Sequence, residues 1–155
     1  MANTYTQLLT QLVFAIQGRE NIIHEPIRIR IEKYMCGCIN NQKSKPLAIY
    51  CMPDHVHILI GQNPSIALSD LVKEIKTSTT HFINNERLIN CKFSWQEGYG
   101  AFSYSKSQMD KVVKYIINQP LHHKKQTFRE EYLDFLRKFE IEYTPEYLFN
   151  WIESE

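Results

Sequence analysis

Lys45-Pro46-Leu47-Ala48-Ile49-Tyr50-Cys51-Met52, then Pro53-Asp54, then His55-Val56-His57-Ile58-Leu59-Ile60 is the stretch that decides the fold. Two runs rich in aliphatic and β-branched residues flank a Pro-Asp pair suited to a turn, and Gly61 closes the second, so the segment reads as a β-hairpin. Upstream, Thr4–Ile16 reads as a strand ending at Gly18, and Pro26 opens an Ile27–Met35 helix stopped by Gly37. Downstream, Leu68, Leu71, Val72, Ile75, Phe82 and Ile83 repeat at the helical period across Ala67–Asn85. Phe93–Tyr104, with Gly98 and Gly100, reads as a bent fourth strand or a structured loop. Asp110–Gln119 reads as a helix with Ser105 or Ser107 as its N-cap and Pro120 at its end. Thr127–Phe139 and Pro145–Ile152 read as two further helices. The order β-α-β-β-α-β-α predicts an α+β, ferredoxin-like split-βαβ sandwich. It has a four-stranded antiparallel sheet, helices on one face and a helical C-terminal tail.

A chain of 155 residues suits one domain spanning 1–155. Apolar residues at 43%, charged residues at 23%, and only 5 glycines and 6 prolines exclude disordered, collagen-like and low-complexity classes. No apolar run approaches the ~20 residues of a membrane span and no basic-then-apolar leader opens the chain, so a cytoplasmic protein without a membrane partner is expected. Cys36, Cys38, Cys51 and Cys91 lack the spacing of zinc or redox motifs and are expected as reduced thiols. The net charge of +1 conceals a split. Residues 126–155 hold three basic and eight acidic side chains, against fifteen and nine in residues 1–125. That balance permits a nucleic-acid surface without requiring one.

His55-Val56-His57 lies on a strand, where side chains alternate, so both imidazoles share a face and can converge on one divalent ion. Tyr115 and Gln119 stand at i and i+4 and project together from a helix. Taken singly, each pair more often marks ordinary polar residues, half-exposed histidines on the open sheet face and a boundary tyrosine with an exposed glutamine. Taken together they suit one reaction. An ion on two imidazoles and an amide oxygen polarises a phosphodiester, and a tyrosine oxygen attacks the phosphorus. The covalent phosphotyrosine conserves the energy of the broken bond, so strand transfer needs no nucleotide.

Three blocks carry a family resemblance: Met52–Ile60, then Trp95-Gln96-Glu97-Gly98-Tyr99-Gly100-Ala101-Phe102-Ser103, then Tyr115-Ile116-Ile117-Asn118-Gln119 with His122-His123-Lys124 after it. In order and spacing the chain resembles the HUH single-tyrosine transposases of small insertion sequences that move as single-stranded DNA. The likeness runs from about Tyr5 to Phe139. It implies His55, His57 and Gln119 as metal ligands, Tyr115 as nucleophile, Mg²⁺ or Mn²⁺ as the ion, and a ferredoxin-like fold. It also implies a homodimer whose composite sites can pair one subunit's histidines with the other's tyrosine helix, and single-stranded DNA with subterminal hairpins as substrate. A mixed imidazole and oxygen site would also bind Zn²⁺ or Cu²⁺ tightly in vitro.

Two departures stand out. Pro120 bends or ends the helix directly after Gln119, and Arg19-Glu20 replaces the more basic run of the family after the first strand. Other polar groups have weaker assignments. His122-His123-Lys124-Lys125 suits phosphate, the metal's surroundings or a solvated turn. The face of Lys73, Lys76, Thr77, Ser78, Thr79, Thr80 and His81 suits a hairpin backbone or plain solvent. Asp54 reads as a turn residue, and Trp95, Tyr99 and Phe102 as core. The alternative functions are a non-catalytic single-stranded nucleic-acid-binding module and an inactive domesticated transposase. A binder would tolerate Tyr115→Phe.

Overall fold

The computed structural model describes residues 3–18 and 22–151. Its elements are β1 (Leu9–Ala15), α1 (Ile27–Asn41), β2 (Lys45–Cys51), β3 (His55–Gly61), α2 (Leu68–Asn85), β4 (Gly100–Tyr104), α3 (Met109–Ile117), α4 (Gln119–His122) and α5 (Phe128–Lys138). The sheet order is β2-β3-β1-β4 with every neighbouring pair antiparallel, which is the expected α+β arrangement. The hairpin forms around Pro53-Asp54, with the Met52 amide donating to the His55 carbonyl at 2.8 Å.

Register divides the sheet into two faces. Val13 lies opposite His57 and Ala15 opposite His55, whereas Leu12 lies opposite Ile58 and Phe14 opposite Val56. Leu12, Phe14, Val56, Ile58 and Ile60 therefore share one face, where they pack with Ile31, Met35 and Ile39 of α1 and Leu71, Val72 and Ile75 of α2. The other face carries Gln11, His55, His57 and Leu59. There Val112 and Ile116 of α3 close over Leu59, and Phe135 of α5 stacks on Phe102 of β4 at 4.9 Å between ring centroids. Helices α1 and α2 make the expected sandwich, and the helical C-terminal region covers the face that the expectation left open.

Several boundaries move. The first strand begins at Leu9 rather than Thr4, and residues 3–8 are exposed. Helix α1 runs through Gly37 to Asn41, because a Cβ at Gly37 would meet nothing and no turn requires the glycine there. In Phe93–Tyr104 only Gly100–Tyr104 is a strand. The residues before it form a loop tied by Asn84, which donates to the Phe93 carbonyl at 3.0 Å and accepts from its amide at 2.7 Å. Ser105 makes a capping box with Gln108 around a 3-10 turn that leads into α3. Pro145–Ile152 does not form the expected helix. Only Pro145–Tyr147 makes a 3-10 turn, and Phe149 and Trp151 then both contact Phe128 and Tyr132. Side chains two apart on one side are the mark of extended chain, so aromatic docking overrides helical propensity. Ile152 and Arg19-Glu20 lie outside the described residues.

The second sequence block is architectural. Trp95 bridges to Ile16 and meets Phe14 and Phe93 edge-on. The buried Gln96 side chain donates to the carbonyls of Ile16 at 3.0 Å and Asn150 at 2.8 Å, pinning the tail to the end of β1. Gly98 adopts a positive φ of 86°. At Gly100 a Cβ would stand 2.8 Å from the Tyr132 hydroxyl, so β4 and α5 meet as closely as they do because no side chain is there. The four cysteines are free thiols, with Cys38 and Cys51 buried. No described helix is long and apolar enough to cross a membrane.

Candidate active site

The site grows from the alternation of β3. His55 and His57 point to the face under the C-terminal helices, and both are buried, with ring centroids 5.1 Å apart. Each ring is held from behind. His55 Nδ1 donates to Asp54 Oδ1 at 2.6 Å, and its ring stacks on Phe128 at 3.8 Å. Asp54 is thus the turn residue expected, and it also fixes the tautomer that leaves the His55 Nε2 lone pair facing inward. Burial raises the cost of its charge, but its bond from His55 and the electrostatic pull of the neighbouring imidazoles outweigh this and hold its pKa low. On His57, Gln11 Nε2 donates to Nδ1 at 2.8 Å while the Tyr104 hydroxyl donates to Gln11 Oε1 at 2.9 Å. Burial keeps the His57 imidazole neutral by lowering its pKa, and pushes the Tyr104 phenol up to about 12.

Tyr115 comes from α3, whose neighbouring Val112 and Ile116 are buried. The helix stops at Ile117, as Pro120 requires, and Gln119 opens α4 with Pro120 in its first turn, where a missing amide hydrogen costs nothing. Gln119 is nonetheless fully buried, and its Oε1 lies 3.4 Å from His55 Nε2. All four residues expected at the site therefore meet on one sheet face.

Two further side chains join them. Glu131 on α5 is 2% exposed. Its Oε1 accepts from His57 Nε2 at 2.8 Å and from His123 Nε2 at 3.2 Å, and lies 3.7 Å from His55 Nε2. Its Oε2 accepts from the Tyr115 hydroxyl and, at 3.1 Å, from Gln119 Nε2. His123 Nε2 also donates to Gln119 Oε1 at 2.9 Å. Burial opposes ionisation of Glu131, but His57, His123 and His55 outweigh it and hold its carboxyl far below the usual range. Burial likewise works against a charge on His123, yet its bond to Glu131 raises its pKa. Burial and then the neighbouring carboxylate raise the Tyr115 phenol well above its ordinary value.

The ligand atoms of His55, His57, His123 and Glu131 lie within 4.8 Å of one another, a grouping that could hold a metal ion. A cavity of about 480 Å³ opens beside them, lined among others by Gln11, Tyr104, Lys111, Tyr115, Glu131 and Lys138. It gives a ligand access to the tyrosine side of the cluster.

Sequence reasoning counted Glu131 only among the acids of the tail. The available signal was its place in the apolar stripe Phe128, Tyr132, Phe135, Leu136, where an acid needs a buried partner. Of the basic groups considered for DNA, Lys76 is engaged within the fold. It donates to the carbonyls of Gln96 at 2.9 Å and Gly98 at 2.6 Å, and burial lowers its pKa to about 8. Lys73, Lys124 and Lys125 remain exposed.

A ferredoxin-like α+β sheet that carries a His-x-His strand and a tyrosine helix on one face defines the class of protein. Within that class the chain belongs to the family described as IS200-like transposases, whose model matches residues 4–119. Transposases of that family are enzymes of DNA cleavage and rejoining. Two solved structures share the fold. A protein of Deinococcus radiodurans R1 assigned as a transposase is 19% identical with a TM-score of 0.61, over 77% of this chain and 95% of that one. A REP-associated tyrosine transposase bound to a REP hairpin is 15% identical with a TM-score of 0.59, over 79% and 73%. No curated protein sequence matches the chain.

Proposed function

We propose that this transposase cleaves and rejoins single-stranded DNA through a covalent 5′-phosphotyrosine at Tyr115, assisted by Mg²⁺ or Mn²⁺ held by His55, His57 and Gln119. The observation that carries this reading is the meeting of the Tyr115 hydroxyl, two inward-facing imidazoles and the Gln119 amide at one buried cluster beside an open cavity. The residues fit an ion on chemical grounds. His55 directs its one N–H, on Nδ1, to Asp54, so a lone pair on Nε2 faces the acceptor oxygens of Gln119 at 3.4 Å and Glu131 at 3.7 Å. Converging lone pairs repel one another unless a cation sits among them. When bound, the ion supplies Lewis-acid stabilisation of charge on the phosphoryl oxygens.

The chain's own groups do the rest. Tyr115 oxygen bonds to phosphorus as its hydroxyl proton passes to Glu131 Oε2, the bond from phosphorus to the 3′-oxygen breaks, and that oxygen takes up the proton as a free 3′-hydroxyl. Helix α3 fixes the Tyr115 oxygen at the mouth of the cavity, so a phosphate entering there meets it in line. Rejoining is the same step in reverse with a second 3′-hydroxyl. The REP hairpin held by the structurally similar transposase supports hairpin-bearing ends as the substrate. The active unit is a homodimer in a cytoplasmic setting, and the exposed Ile117 and Leu121 beside the site suit burial against a second copy.

The test uses 5′- and 3′-labelled single-stranded DNA from the flanks of the gene, with Mn²⁺ or Mg²⁺, on denaturing gels. A metal-dependent protein–DNA adduct in wild type, lost in Tyr115→Phe and in His57→Ala, is the expected result. DNA binding with no adduct from any flank would favour a binding module instead. An adduct that persists in Tyr115→Phe would assign the chemistry to another tyrosine.

A further inference from the structure

We infer that Glu131 is itself a ligand of the divalent ion through Oε1, making the centre two imidazoles, one amide and one carboxylate, while its Oε2 holds the Tyr115 phenol beside that ion. The inference rests on the metal-assisted reading above and adds an anionic ligand to it.

The geometry supports ligation over a plain ion pair. A carboxylate oxygen accepts two hydrogen bonds, yet Oε1 stands among three imidazole nitrogens, at 2.8 Å, 3.2 Å and 3.7 Å, and the third, on His55, carries a lone pair rather than a hydrogen. Bonds of ~2.1 Å to one ion place neighbouring ligand atoms about 3.0 Å apart in octahedral geometry and about 3.4 Å in tetrahedral geometry. The contacts of Oε1 with His57 and His55, and of Gln119 Oε1 with His55 at 3.4 Å, fall in or close to that range. The far nitrogens of both strand histidines are already engaged, with Asp54 and Gln11, so their Nε2 atoms are what remains to ligate.

The network also accommodates the change of proton on His57. Turning the Gln11 amide over lets His57 Nδ1–H donate to Gln11 Oε1 and Gln11 Nε2 donate to the Tyr104 oxygen, while the Tyr104 hydroxyl hydrogen turns to the cavity it lines, so Nε2 of His57 becomes a lone-pair donor. His123 loses one acceptor and keeps Gln119. Two oxygens among four ligands suit Mg²⁺ and Mn²⁺ better than an all-imidazole site would. One carboxylate then bridges ion and nucleophile, fixing their separation through a single rigid group.

The experiment titrates the full-length protein with Mn²⁺ and follows the electron paramagnetic resonance signal of the free ion. Glu131→Gln, which keeps shape and removes charge, is expected to weaken Mn²⁺ binding by about tenfold or more, as His57→Ala does. Tyr115→Phe is expected to bind within about threefold of wild type. Binding by Glu131→Gln equal to wild type, with loss in His57→Ala, overturns the inference and leaves the metal reading standing. No binding by wild type overturns both. Should Glu131→Gln fail to fold, infrared difference spectra of wild type decide without a variant. A carboxylate stretch that shifts on adding Mn²⁺ supports ligation, and an unmoved band overturns it.

Discussion

The two faces of the sheet share the same strands and have opposite contents. On β3, Val56, Ile58 and Ile60 meet α1 and α2 in a core that asks only for volume and apolarity. One residue out of phase, His55 and His57 meet Gln119, Glu131 and His123, where each buried polar atom needs a named partner. Alternation along a strand thus separates the apolar core from the polar candidate site. The cost of the polar face is carried by redundancy. Gln11, Asp54, Tyr104 and Glu131 each satisfy a group that would otherwise be buried alone.

Neighbouring residues of β3 make the sharpest test of that division. His57→Ala should reduce adduct formation about a thousandfold or more, with a thermal midpoint far closer to wild type than that loss suggests. Ile58→Ala should cost about 2–5 kcal/mol in denaturant unfolding yet form adduct normally at temperatures where it is folded. If Ile58→Ala abolished the adduct in protein shown to be folded, the two faces would not be separable. Gly100→Ala tests the seam between β4 and α5. The new Cβ would meet the Tyr132 hydroxyl at 2.8 Å and its ring at 2.9 Å, so a loss of about 1–3 kcal/mol is expected. Because α5 carries Glu131, Mn²⁺ affinity should fall with it.

The smallest effect is the pH dependence of the metal-free protein. His57 has a folded pKa below the usual 6.5, so below that pH the unfolded chain takes up a proton that the folded chain refuses, and stability falls on acidification. His123 has a raised folded pKa, so its contribution is complete below 6.5 and is lost as pH rises through the raised value. Thermal midpoints against pH should lose the first slope in His57→Gln and the second in His123→Gln, with Ile58→Ala leaving both unchanged. Unaltered slopes in the histidine variants would place the titrating groups elsewhere.

Much of the fold was legible because it is written locally. Strand alternation, the Pro53-Asp54 turn and the helical spacing of Leu68, Leu71, Val72 and Ile75 involve residues within a few positions of one another. The helix expected over Pro145–Ile152 shows the limit. Its composition suits a helix, but Phe149 and Trp151 are taken by aromatic partners about twenty residues away. The site was legible to the same depth. His55 with His57, and Tyr115 with Gln119, are short-range pairs that a period reveals, and Pro120 did not prevent Gln119 from reaching the cluster because it falls in the first turn of α4.

By itself the sequence determined the order of elements, the face that both histidines share and the tyrosine that accompanies them, since these follow from backbone periodicity. Only the tertiary structure decided that Glu131, 74 residues from His57, lies against it and against Tyr115 at once. That proximity depends on where α5 docks, which the Phe102–Phe135 stack and the absence of a side chain at Gly100 set. Side-chain packing between distant segments has no period along the chain, and so no local pattern announces it.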